Sequence, residues 1–334
     1  MRLESLDDAG SRRPAVPPAG GGARRALLLT AKVVVSVGLL AAVVAASDLA
    51  ALATLLARLQ PAYALAAVLL LMGIAVVSGL RWWVVGRLIG APLPLASCVP
   101  LMFIGSFFTQ VLPTSVGGDA VRILLGAQRG LSYGKAFNGV MLERASGLLA
   151  LVLMVAGGVL WLGARIEPAA LRYLLLAALP GLLVVLAALC CLDCLPLPAP
   201  LARVARHFLS LAGDARRVLL APGESTLLLL LSAAAQLFSV AAVLALARGL
   251  GLPLAGADAL ALVPAIILIT FFPLSFAGWG VREGASVVML GFAGIGADEA
   301  IAVSVTFGLA VLVAGLPGMA FWLAAGRRRP EERR

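Results

Sequence analysis

Four basic side chains stand inside long apolar stretches of this chain: Lys32, Arg122, Arg144 and Arg282. Charge at membrane depth is expensive and marks a functional site by default. Two of these arginines close segments that match each other, PTSVGGDAVR (Pro113–Arg122) and PLSFAGWGVR (Pro273–Arg282). Both fit P-x-S-x-x-G-x-x-V-R, and each holds an acid beside its arginine, Asp119 in the first and Glu283 just after the second. The chemistry suits an anion. Pro and Gly interrupt a helix and free backbone amides, and a following helix N-terminus turns a partial positive charge toward the gap. Arginine adds a planar fork that matches phosphate oxygens. The candidate binding residues are Ser115, Gly117, Gly118, Asp119 and Arg122, with Ser275, Gly278, Gly280, Arg282 and Glu283 as the second set.

A third polar element, FNGVMLERASG (Phe137–Gly147), opens an otherwise apolar run. Glu143 and Arg144 are adjacent, so on a helix they point about 100° apart and each needs a partner elsewhere. Asp119, Glu143 and Glu283 then stand against Arg122, Arg144 and Arg282. The alternative to a substrate site is a neutral network that ties helices together. Asn138, Gln110 and Gln236 fit helix–helix hydrogen bonding, and Gly157 and Gly158 fit close helix packing.

Apolar elements must position these residues. Of 334 residues, 62% are hydrophobic and 13% charged, against about 25% charged in soluble domains. The expectation is an all-α polytopic membrane protein. The net charge of +10 does not point to nucleic acid, because Arg12, Arg13, Arg24, Arg25 and Arg327–Arg329 flank apolar spans, where the positive-inside bias places them. Cys190, Cys191 and Cys194 cluster, but the chain has one histidine, His207, and no second cysteine pair, so no metal site is expected. No G-x-x-x-x-G-K-[ST] stretch suggests a nucleotide, and the expected cofactor is none.

Six segments read as full spans: 26–47, 61–80, 137–162, 170–192, 224–247 and 299–325. The first exceeds the 7–15 residues of a signal-peptide core and reads as a retained span. Residues 1–25 read as a disordered cytoplasmic N-terminus, 26–325 as the membrane domain, and 326–334 as a basic cytoplasmic tail. Asp48–Gln60 has the spacing of a helix lying on the membrane surface, and RWWVVGR (Arg81–Arg87) that of an interfacial anchor. The stretches 95–125 and 260–292 are broken in the middle by Pro, Ser and Gly. They give either two more spans, eight in all, or two re-entrant hairpins. Hairpins are favoured, because they put the loop with Arg203, Arg206, Arg216 and Arg217 on the cytoplasmic side. The matching segments then enter from opposite faces, as in an inverted repeat whose broken helices meet at a binding site, and irregular backbone at that depth predicts a cavity.

GGDAVR (Gly117–Arg122), ERASG (Glu143–Gly147) and PLSFAGWGVREG (Pro273–Gly284) resemble the lysylphosphatidylglycerol synthase transmembrane-region family of flippase-like integral membrane proteins. The resemblance runs over about 26–325. It implies an inner-membrane protein that translocates or handles a polar lipid, with Gly118, Asp119, Arg122, Glu143, Arg144, Gly280, Arg282 and Glu283 as the positions that carry this, and the arginines suit an anionic one such as a phospholipid. In lysyl-transferring members a soluble catalytic domain follows the membrane part. This sequence ends at Arg334, so the expectation is a stand-alone flippase-like transporter and not an aminoacyl-transferring enzyme. Two further readings stay open: a membrane-embedded transferase with a lipid-phosphate donor and Glu143 or Asp119 as base, and a non-catalytic partner of a hopanoid or glycolipid pathway. The partners admitted are the membrane lipid, a second copy of the chain, and a soluble pathway enzyme on the 193–223 loop. In the second motif Ala277 and Trp279 flank Gly278 where the family often carries a glycine pair.

Overall fold

The computed structural model describes residues 54–112, 116–192, 199–271 and 278–327. Every regular element among them is helical: α1 (Pro61–Leu88), α2 (Leu95–Val111), α3 (Gly117–Ala127), α4 (Tyr133–Leu162), α5 (Ala169–Cys191), α6 (Ala199–Leu219), α7 (Glu224–Gly249), α8 (Gly256–Phe271), α9 (Val281–Gly291) and α10 (Ala297–Arg327). Five of these, α1, α4, α5, α7 and α10, are long and apolar enough to cross a bilayer. The chain is a multi-pass membrane protein. The sixth expected span, 26–47, lies outside the described residues, as do 1–25, 328–334 and residues 48–53 of the expected surface helix at 48–60, whose described part is helical over 54–57.

Local sequence sets the ends. Pro61 opens α1 at a position where no amide hydrogen bond is lost. The Ser132 side chain caps α4 by accepting from the Lys135 amide at 3.3 Å. Helix α1 runs eight residues past the expected end at position 80, because SGLRWWVVGRL holds no proline and its two glycines, Gly79 and Gly86, are held in close packing against Val99 and the Ala91 carbonyl. Arg81 and Trp82 are therefore buried inside the bundle, and the interfacial anchor expected there shrinks to Trp83 and Arg87, which stack at 4.9 Å.

Each broken stretch folds as two helices, α2 and α3 on either side of 112–116, α8 and α9 on either side of 272–280. In the first pair the second helix folds back along the first. A Cβ on Gly118 would overlap Thr109 and the Gly105 carbonyl, and one on Gly105 would sit 2.6 Å from the Arg122 side chain. Only glycine at both positions allows this approach. In the second pair the residues just before α9 include Gly278 at φ 81° and Gly280 at φ 85°. These left-handed glycines hold off helix formation. As a result α3 begins five residues before Arg122, whereas α9 begins one residue before Arg282. The matching letters thus occupy helix positions that differ by about one turn.

Around these pairs α1 packs on α7, α4 on α8, and α10 on α2. Gly158 serves close packing as expected, since a Cβ there would sit 2.5 Å from the Ala261 carbonyl oxygen. Gly157 does not; it faces an apolar cavity of about 530 Å³ between α4, α7 and α8. The 193–223 stretch, expected as a loop, is largely the helix α6. Leu211, Ala215 and Val218 recur on one face and are buried against α1 and α4.

Candidate functional site

Helix α4 carries Glu143 into the bundle, between arginines from two other helices. Arg122 on α3 donates through Nη2 to Glu143 Oε2 at 3.1 Å and through Nη1 to Asp119 Oδ1 at 3.3 Å. Arg81 on α1 lies with Nη2 3.0 Å from Glu143 Oε1. The same Nη2 donates to the Glu143 carbonyl and to Ser146 Oγ, at 3.2 Å for the latter. Ser146 in turn donates to the Glu143 carbonyl at 2.8 Å. Arg144 pairs through Nε with Asp119 Oδ2. The Trp82 ring lies under the Arg122 guanidinium at 4.7 Å.

The five charges form one alternating row, Arg81–Glu143–Arg122–Asp119–Arg144, which starts and ends on a cation. Arg81, Glu143, Arg122 and Asp119 are each 5% exposed or less, while the Arg144 side chain is 37% exposed. Desolvated charges persist only when they are paired, and each member of the row faces an opposite charge. The Nε groups of Arg81, Arg122 and Arg144 make no hydrogen bond, although Arg144 Nε lies against Asp119 as an ion pair.

Local sequence explains the geometry. Asp119 and Arg122 are three apart on α3, so they share a face. Glu143 and Arg144 diverge from α4 as expected and find separate partners. Gly147, one turn beyond Glu143, leaves space for Arg81, whose Nη2 would lie 2.6 Å from a Cβ there.

The second set gathers elsewhere. Glu283, fully buried, accepts from the Gly280 amide at 2.5 Å and so caps the start of α9. Arg282 Nη2 donates to Glu283 Oε1 at 2.9 Å, and Ser304 on α10 donates to the same oxygen at 2.9 Å. Arg282 Nε donates to Ser304 Oγ at 3.0 Å. Trp279 stacks on the guanidinium at 4.7 Å, so the bulky residue beside Gly278 covers the arginine. Arg282 and Ser304 also line a cavity of about 40 Å³ with Thr270 and Ser286. That is room for water.

Asp119, Arg122, Glu143 and Arg144 are therefore brought together, with Gly117 and Gly118 in the helix turn beneath them. Gly278, Gly280, Arg282 and Glu283 form the other group. Among the described residues no hydrogen bond or ion pair joins the two groups, and Ser115 and Ser275 lie outside those residues. Arg81 is the functional candidate that sequence reading missed. The available signal was the lack of any proline between Leu80 and Gly90, which lets the span continue through Arg81.

A further polar contact ties α6 to α4. Asp214, 2% exposed, accepts from Lys135 Nζ at 2.8 and 2.9 Å and from Asn138 Nδ2 at 2.8 Å. Asn138 is thus interhelical glue, as its position in an apolar run suggested.

A family model described as lysylphosphatidylglycerol synthase TM region matches residues 29–318. No curated protein and no solved structure matches the chain.

Proposed function

Given that the chain belongs to the lysylphosphatidylglycerol synthase transmembrane-region family, we propose that it translocates a polar, anionic lipid across the cytoplasmic membrane, as a flippase-like transporter and not as an enzyme. One observation carries this reading: a row of charges, cationic at both ends and buried in all but Arg144, inside a mostly apolar helical bundle. Such a row is costly to keep as mere scaffolding, and guanidinium forks match phosphate oxygens.

On this reading α2–α3 and α8–α9 are re-entrant hairpins that enter from opposite faces as an inverted repeat, with both termini in the cytoplasm. Broken helices at a repeat interface are where transporters of this layout bind their cargo. The acyl chains stay in lipid while the headgroup exchanges with Asp119 and Glu143 for the arginines, opening an Arg-lined central cavity.

The test uses purified protein in liposomes that carry tail-labelled fluorescent phosphatidylglycerol. Access of a membrane-impermeant quencher reports translocation, with and without an imposed ion gradient. Wild type should expose inner-leaflet lipid, and Arg122→Ala and Arg282→Ala, folded by thermal melt, should not. Wild-type vesicles that stay protected under every gradient would overturn the reading.

A further inference from the structure

The apolar cavity between α4, α7 and α8 has a volume of about 530 Å³, within the range of sites that hold a small organic ligand, about 300–1,000 Å³. Gly157, Gly158, Ala233 and Ala261 line it, together with the exposed Trp161 and Leu237. The Trp161 indole nitrogen is the one polar side-chain atom among the lining residues. Since α4 and α7 are membrane spans, the exposed Trp161 and Leu237 open this groove to lipid hydrocarbon. Gly158 is dictated by packing against Ala261, but Gly157 is not, because a Cβ there would meet no atom within 4 Å. Glycine inside a helix is destabilising relative to alanine. What Gly157 gives in return is room.

One end of the groove carries a pair of opposite charges. Arg165 lies in the short turn after α4, about one helical turn beyond Trp161, and Asp258 directly follows the lining residue Ala257 on α8. Arg165 Nη1 stands 3.6 Å from Asp258 Oδ1, with the side chains 67% and 20% exposed. The contact is loose, and both groups can turn toward a ligand. Met154 to Trp161 runs about 10 Å along α4, against about 15 Å for the hydrocarbon of one leaflet. Trp161 and Arg165 then stand where hydrocarbon gives way to headgroups, the level that indole and guanidinium groups favour. We propose that the groove is a lipid site separate from the charge row. One acyl chain of a zwitterionic aminophospholipid lies along α4, α7 and α8, its phosphate faces Arg165, and its ammonium faces Asp258. A headgroup with both charges matches both residues. An anionic headgroup turns its charge on Asp258, and a headgroup without phosphate leaves Arg165 unused.

No residue of the charge row lines the groove, and Glu143 and Met154 are about 16 Å apart along α4. The proposal therefore does not depend on what the row binds or on translocation. Purified protein is placed in phosphatidylglycerol nanodiscs doped with phosphatidylethanolamine, phosphatidylglycerol or diacylglycerol. Each dopant carries the same photoreactive group in one acyl chain, and crosslinked peptides are mapped by mass spectrometry. Labelled phosphatidylethanolamine should mark 154–161 and 257–261 above the lipid-exposed helix α5. It should exceed the other two lipids there by about threefold, the scale of exposed charge contacts. Gly157→Leu, which fills the groove, should abolish labelling at 257–261. Arg165→Gln combined with Asp258→Asn leaves the apolar walls intact. It should keep tail labelling and lose the headgroup preference, which keeps the proposal testable if Gly157→Leu does not fold.

Arg122→Ala should label the groove as wild type does, which separates this site from the row. Equal groove labelling by the three lipids overturns the proposal, and so does labelling no stronger in the groove than on α5. Undiminished labelling in a folded Gly157→Leu variant overturns it as well.

Discussion

Arg81 and Glu143 are separated by 62 positions in sequence and by 3.0 Å in space, and both are at least 95% buried (Ser146, the third member of that contact, follows Glu143 by one turn). The pair links α1 to α4 at a depth where water does not compete. Deleting one partner of a buried pair costs about 3–5 kcal/mol, because the other charge is left bare. Glu143→Ala strands both Arg81 and Arg122. Its melting temperature in detergent should fall well below wild type, whereas Glu143→Gln, which keeps two hydrogen-bonding atoms, should fall less. Equal melting of the two variants would contradict this account.

Gly118 rests on the backbone of α2 beside Gly105 and Thr109. Gly118→Ala should cost about 1–3 kcal/mol through overpacking and should pry α3 away from α2. Gly157→Ala, at a helical glycine with open space around it, is the matched control and should melt at or slightly above wild type, as Ala favours helix over Gly. Paired thermal melts decide between them.

Ser304 both donates to Glu283 and accepts from Arg282. Ser304→Ala leaves a buried carboxylate oxygen and a guanidinium N–H each short of one bond. About 1–3 kcal/mol of destabilisation follows from such a loss. Ser304→Thr, which keeps the hydroxyl, should recover most of it. Denaturant titration of both variants in the same detergent measures the difference.

The Asp214 carboxylate holds α6 to Lys135 and Asn138 of α4. Asp214→Ala should release α6 from the bundle. The readout is faster amide hydrogen exchange across 208–219, with α4 beyond residue 150 unchanged. Exchange that speeds up equally in both helices would indicate global loosening and not release of one element.

Hydrophobic run length made the five described spans readable, since a long apolar stretch has few alternatives to a membrane helix. The interruptions between α2 and α3 and between α8 and α9 were equally readable, because Pro, Ser and Gly cluster there, whereas lone prolines such as Pro100 and Pro264 are carried inside helices. Asp119, Arg122, Glu143 and Arg144 could be singled out as charges in apolar surroundings. Their pairing could not, beyond the angular argument that separates Glu143 from Arg144. Arg81 was hidden for a related reason. Beside two tryptophans at the end of an apolar run it looks like an interfacial residue, and only the continuation of α1 to Leu88 buries it. The repeat carried a different ambiguity. Identical letters at Arg122 and Arg282 concealed a one-turn difference in where the helix starts, which depends on the positive φ angles of Gly278 and Gly280.

Helix α10 touches both helix pairs, α2–α3 and α8–α9. Near its start Ser304 bonds Glu283 and Arg282, and Gly308 lies against Arg282 and Trp279; farther along, Gly315 and Gly318 lie against Phe107 and Phe103 of α2. At about 1.5 Å per residue, Ser304 and Gly318 are roughly 21 Å apart along the axis, most of the thickness of a hydrocarbon core of about 30 Å. The helix thus has a foothold on each arginine-bearing helix pair. Purely as geometry, a tilt of the segment between those footholds about its midpoint would carry them in opposite directions.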